Sequence, residues 1–237
     1  MHTLKYSYVF PLVIFFLSLQ ACVKGKGPVI SQTFEPGSFD RIEMSTAGEV
    51  TVLSDSVSFV KISSNENIIQ SLQLKLNNGR LLIASKPGKI LHKYDVLDIE
   101  IHSPAPLQEL STSASGNIRC NGCLHSQAVV KTSASGNIDV NGTFSDITAE
   151  TSGSGSVTLQ GSATKATYKT SSSGNVLGFG CISQHTDARC SASGNIETTV
   201  LQKLTGSISG SGNIRYKGDP SEIDVKDNAS GQLEKVN

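Results

Sequence analysis

Cys120 and Cys123 stand three residues apart in the run Cys-Asn-Gly-Cys. That spacing suits either a dithiol redox couple or a short structural bridge. Redox chemistry needs a thiolate stabilised at a helix N-terminus. Asn-Gly between the two is a turn signal instead, so a bridge is expected. Cys181 and Cys190 are the remaining cysteines downstream of Cys22, and four thiols allow three pairings. Cys123 and Cys181 occupy the same position of the repeat described below, three coils apart, which is roughly 14 Å at strand spacing. A disulfide needs Cα atoms within about 7 Å. The local pairs Cys120–Cys123 and Cys181–Cys190 are therefore the expected bridges, with free structural thiols as the alternative.

The other reactive side chains are scattered. Asp139 and Glu197 share an outward column but lie three coils apart, with Thr158 and Leu177 between them. Lys131, Glu150, Lys169 and Arg189 form a second, mostly basic column. His92, His102, His125 and His185 have no metal-ligand spacing. The Ser-Gly-Ser-Gly runs lack the Lys-Ser/Thr ending of a phosphate loop and precede strands rather than helices. No catalytic, metal or cofactor-binding residue is assigned, and no cofactor is expected. With 20 basic and 20 acidic residues interspersed, no basic field exists to hold a nucleic-acid backbone.

What positions these residues is a repeat. TSASGNI at Thr112–Ile118 recurs unchanged at Thr132–Ile138, and looser copies start at 151, 170, 190, 208 and 227. The fifth motif residue is always Gly and the seventh always aliphatic. On either side the chain alternates apolar and polar, the pattern of a strand with one buried face. The invariant Gly is read as a bend with positive φ, and the Asn column (Asn117, Asn137, Asn175, Asn195, Asn213) as stacked amides bonding from coil to coil. The expected fold is all-β: a right-handed parallel β-helix, or β-solenoid, with coils of about 19 residues. A sandwich or barrel is the alternative. Any function lies on varied outward positions such as Arg119, Lys131, Lys169 and Arg189.

Residues 1–21 read as a signal peptide: Lys5 in a short polar start, an apolar Val9–Leu19, and Ala21 before Cys22. Cys22 stands where a lipobox places its lipidated cysteine, so membrane attachment through acyl chains there is expected. Residues 22–33 are expected to be a flexible tether. Residues 34–108 lack the strict repeat but offer strands at 39–44, 49–53, 57–63, 72–76, 80–83 and 95–102. Asn77-Asn78-Gly79 is a hairpin turn, and Met44–Val50 (MSTAGEV) faintly matches the motif. This segment is expected to start and cover the solenoid, which then runs over residues 109–237.

A leader ending in Cys22, FDRIEMSTAGEVTVLSD, LNNGRLLI, YDVLDIEIHSPAPLQELSTSASGNI and the serial SGSGNI motifs together resemble the head GIN domain family, labelled auto-transporter adhesin. The resemblance covers residues 34–237. It implies a β-solenoid envelope protein of Bacteroidetes-type bacteria and supplies no catalytic motif. The expected function is a non-enzymatic, outer-membrane lipoprotein that binds a glycan or a protein ligand. A polysaccharide lyase or hydrolase on the same fold, and a structural role in envelope assembly, are the alternatives.

Overall fold

The computed structural model describes residues 21–237, so the expected leader lies outside the described residues except for Ala21. The chain begins with β1 (Ala21–Lys24), β2 (Val29–Phe34), β3 (Arg41–Ser45), β4 (Glu49–Ser54) and β5 (Phe59–Asn65). One helical turn, α1 (Glu66–Ile69), leads to β6 (Leu72–Asn77), β7 (Arg80–Ser85), β8 (Lys89–His92) and β9 (Leu97–Ser103). The repeats follow as β10 (Leu107–Thr112), β11 (Asn117–Asn121), β12 (Leu124–Thr132), β13 (Ile138–Thr151), β14 (Val157–Thr170) and β15 (Val176–Cys190). Then come β16 (Ile196–Ile208), β17 (Ile214–Lys217), β18 (Glu222–Asp227) and β19 (Leu233–Lys235).

The repeat copies lie over one another in parallel register. Ile118 pairs with Ile138, Ile138 with Val157, Val157 with Val176, Val176 with Ile196, and Ile196 with Ile214. The fold is a β-solenoid of about seven turns. Alternation places Ile118, Ile138, Val157, Val176, Ile196 and Ile214 at 0% exposure along one inner column. Met44 pairs with Thr112 and Val50 with Ile118, so MSTAGEV is a coil in register with the repeats. β7 and β9 extend the parallel stack by one further layer. There the direction reverses: β6 pairs antiparallel with β7, and β5 with β9 and β2. The β6–β7 turn has Asn78 and Gly79 at φ 47° and 76°, the left-handed conformations that a two-residue hairpin requires.

Two expectations need correction. The motif glycines are not positive-φ bends; only Gly122, Gly161, Gly206 and Gly218 of the repeat region adopt that conformation. Their cause is close stacking. A Cβ on Gly136, Gly155, Gly174, Gly194, Gly212 or Gly231 would lie within 3.0 Å of the carbonyl oxygen of the equivalent Gly one coil earlier. Residues 22–33 are not a free tether either. β1 pairs with β8, Cys22 opposite Ile90, and β2 pairs with β5. Val23 and Leu91 pack on the core, so nonlocal apolar burial orders a segment whose own composition is tether-like.

The polar columns are structural. Asn117 Oδ1 accepts from the Asn137 backbone N–H at 2.9 Å, Asn137 Oδ1 from Ser156 at 2.9 Å, and Asn175 Oδ1 from Asn195 at 2.8 Å. Asn195 and Asn213 continue this toward the C-terminus at 2.9 Å each. Thr112, Thr132 and Thr170 point inward, yet each hydroxyl donates to the carbonyl of the Gly four residues on. Buried hydroxyls are thereby satisfied.

Candidate functional site

Outward positions line a concavity where a coil turns the corner after β11. At the end of β11 the chain bends through Asn121-Gly122, with Gly122 at φ 68°, and Cys120 and Cys123 are joined by a disulfide across 5.7 Å between Cα atoms. This is one of the two expected bridges. Beside the corner lies a pocket of about 460 Å³, lined by Thr51, Arg119, Asn121, Asp139, Asn141, Thr158 and Gln160, with Leu53 at one edge. Strand pairing makes it regular. Arg119, Asp139 and Thr158 are successive register partners, and so are Asn121, Asn141 and Gln160. The two rows repeat at the strand spacing of about 4.8 Å.

The pocket's chemistry is hydrogen bonding. Three side-chain amides, each both donor and acceptor, stand beside one guanidinium and one carboxylate. Arg119 lies 3.6 Å from Glu49 and 3.9 Å from Asp139, with 63% of its side chain exposed. Pairs this long and exposed hold little energy and leave their groups free to turn to a ligand. Asp139 is the sole carboxylate among the lining residues.

Lys131, Lys169 and Arg189 fall elsewhere, along a trough of about 540 Å³ with the Ser133, Ser152 and Ser171 column. Two of these three cations are closely matched, and Lys131 shares the carboxylate of one of those pairs at longer range. Lys131 and Lys169 flank Glu150 at 4.0 and 2.8 Å, and Arg189 meets Asp187 at 2.7 Å. Arg80 bonds Glu43 at 3.0 Å and Glu109 at 3.3 Å, and the Glu43 contact raises its pKa most. The four positions expected to be functional thus divide, one in the pocket and three in a ladder of mutually paired charges.

The second expected bridge, Cys181–Cys190, does not form. Both cysteines sit on the single strand β15, nine residues apart, too far along extended chain for a disulfide's reach of about 7 Å. Cys190 occupies the inward position held by Thr in other coils and directs its Sγ to the Gly194 carbonyl at 3.0 Å. Cys181 lies at 0% exposure near Tyr168. Burial raises both thiol pKa values, which makes them poor nucleophiles. Tyr168 is wholly buried and its hydroxyl faces only the weakly bonding Cys181 thiol, without meeting it in hydrogen-bonding geometry; desolvation, with Cys181 second, pushes its pKa well up. Its ring fills the space above Gly178, where a Cβ would meet it at 2.7 Å. This explains why the inner column that holds Val140 and Leu159 falls to Gly in that coil.

One pair escaped the sequence reading. His102 Nδ1 lies 2.8 Å from Asp55 Oδ2, with the ring stacked on Phe59 at 3.9 Å. The His102 hydrogen bond, followed by the Ser56 backbone N–H, lowers the Asp55 pKa. The partners are 47 residues apart, so only the β4–β9 pairing, which sets Leu53 opposite His102, could reveal them. The pair ties the turn after β4 to β9. No group of three His, Cys, Asp or Glu among the described residues could hold a metal ion. Cys22 is exposed on β1, outside both concavities.

Known proteins agree on the architecture. A solved structure from Bacteroides fragilis, titled a "putative adhesin", superposes with a TM-score of 0.81 at 19% identity, covering 90% of this chain and all of that one. A "putative lipid binding protein" from Parabacteroides distasonis gives 0.75 at 23% identity, over 92% of this chain and 100% of its own. A "putative adhesin" from the same species gives 0.64 at 21%, over 91% and 100%. At such identities these likenesses show the fold. No curated protein matches significantly. The family model described as "putative auto-transporter adhesin, head GIN domain" matches residues 38–220, and the chain belongs to that family.

Proposed function

We propose that this protein is a non-enzymatic lipoprotein of the cell envelope, outer-membrane attached through Cys22, whose solenoid serves as an adhesin-type scaffold that binds a glycan in the pocket at the Cys120–Cys123 corner. The observation that carries the ligand class is the double row Arg119/Asp139/Thr158 and Asn121/Asn141/Gln160. Amides and an exposed, loosely held ion pair complement the vicinal hydroxyls of a sugar chain, and the row Asn121/Asn141/Gln160 offers an amide donor and acceptor at each step. The disulfide holds the corner rigid before binding, so little ordering cost opposes a weak polar ligand. A glycosidase reading requires two carboxyl groups flanking one bond, and the pocket supplies only Asp139.

The attachment rests on the basic start, apolar stretch and Ala21-Cys22 junction of the sequence. Among the described residues, no helix is long and apolar enough to cross a membrane. Two measurements test the proposal. Membrane fractionation should show the wild type pelleting with the envelope and Cys22→Ala released. A glycan array probed with the intact protein should give hits that Asn141→Ala loses. Hits on protein ligands alone would replace the glycan, and cleavage of any glycan on the array would restore the enzyme reading.

A further inference from the structure

The two-stranded sheet β1–β8 has one buried face and one bare face. Val23 and Leu91, paired in register, pack on the core. Strand alternation turns Cys22 and Lys24 of β1, with Ile90 and His92 of β8, to the opposite side, and all four are exposed. Residues 21–30 and 86–95 carry Lys24, Lys26, Lys86, Lys89 and Lys93 against the single acid Asp95, and Asp95 accepts a bond from Asn65. Glu66 at the start of α1 is the nearest acid on the neighbouring helical turn, and it accepts from Gln70. The lysines in ion pairs among the described residues are others: Lys61, Lys131, Lys169, Lys203 and Lys235. Apolar side chains stand at the same end, Ile90 at 43% exposure and, on the edge strand β2, Val29 at 44%.

Lysines without an ion pair also occur singly elsewhere among the described residues, at Lys75, Lys165, Lys217 and Lys226, but here five cluster around one small sheet. The sheet also lies where the chain leaves the described residues, directly after the apolar stretch Val9–Leu19. We propose that the outer face of β1–β8 is a membrane-docking face that seats the solenoid on a bilayer with anionic headgroups, the lysines meeting lipid phosphates and Ile90 entering the interface. Acyl chains hold a protein weakly unless a second element adds to them, and a basic patch is such an element. The placement has a geometric consequence. No slack chain separates Cys22 from the folded body, because Cys22 is itself paired with Ile90. Docking at this end fixes the solenoid's orientation relative to the membrane.

This inference rests on the lipoprotein reading above, and its test separates the two. The full chain, processed and lipidated at Cys22, is reconstituted in nanodiscs of phosphatidylglycerol or of phosphatidylcholine. Nitroxide labels are carried at Ile90→Cys or, as a distant control, at Glu234→Cys. Membrane depth should place the label at position 90 in the headgroup layer on the anionic lipid only, with the one at position 234 in water. Lys24→Glu, Lys26→Glu and Lys93→Glu together should return the label at 90 to water while the anchor still holds. In a second arm, Cys22→Ser chain is mixed with vesicles of the same lipids. Its partition into phosphatidylglycerol should fall on the order of 100-fold in the triple variant. Equal water access of position 90 on both lipids, or equal partition of wild type and triple variant, overturns the docking face even where lipidation holds. A chain never lipidated in cells overturns the anchor, and the vesicle arm still decides the docking face.

Discussion

At the scale of single residues, close approach governs more than conformation does. Gly155 stacks on Gly136 so tightly that a methyl group has no room, and the carbonyls in question also accept inner hydroxyl bonds. Gly155→Ala is expected to cost about 1–3 kcal/mol by overpacking, read as a lowered midpoint in urea. Gly122→Ala, where nothing lies within 4 Å, pays only for its positive φ and should cost about 1–2 kcal/mol. Tyr168 makes the opposite prediction. Its buried hydroxyl is unpartnered, so Tyr168→Phe removes a desolvated polar group at no loss of packing and should be neutral or stabilising by about 1 kcal/mol. Asp55 belongs to this scale too. Its pKa is lowered chiefly by His102, so its stabilising effect is complete above the unfolded carboxyl value of about 3.9 and disappears as pH falls through the lower folded value. Carboxyl NMR titration should show Asp55 moving up toward the ordinary range in His102→Ala, with the Ser56 bonds keeping part of the depression.

Elements were legible in proportion to how local their causes are. The inner aliphatic column, the Asn ladder and the Asn-Asn-Gly hairpin are each written within about twenty residues and appear where the spacing places them. Three features were not. The Gly column's cause is a neighbour one coil away, invisible to a φ argument. The ordering of residues 22–33 comes from β8 and β5, tens of residues downstream. Cys181 and Cys190 looked like a local pair only because sequence distance hides that they share one extended strand. The corner itself is the element most open to test. Cys120→Ser with Cys123→Ser should lower stability by about 2 kcal/mol, as a short loop's cross-link predicts, and thiol counting on the oxidised wild type should find Cys181 and Cys190 free after denaturation.

For the whole molecule, one division of labour follows. The stacked Gly, Asn and Thr columns build the scaffold and are consumed by it. The pocket uses residues that the repeat leaves free to vary, which is why a sequence could name Arg119 as outward but could not gather Asn121, Asn141 and Gln160 around it. The charged ladder of Lys131, Glu150, Lys169 and Arg189 looked as promising and is spent on its own neighbours. The central claim is that binding resides in the corner pocket and not in the ladders. The most direct measurement is titration calorimetry with the array-identified glycan on two proteins, Asn121→Ala/Asn141→Ala and the ladder variant Asn195→Ala. The pocket variant should keep its melting temperature and weaken binding at least 10-fold, as two lost hydrogen bonds of about 1 kcal/mol each require. The ladder variant should melt earlier and bind as wild type does. Unchanged affinity in the pocket variant, with affinity lost in the ladder variant, would contradict the account.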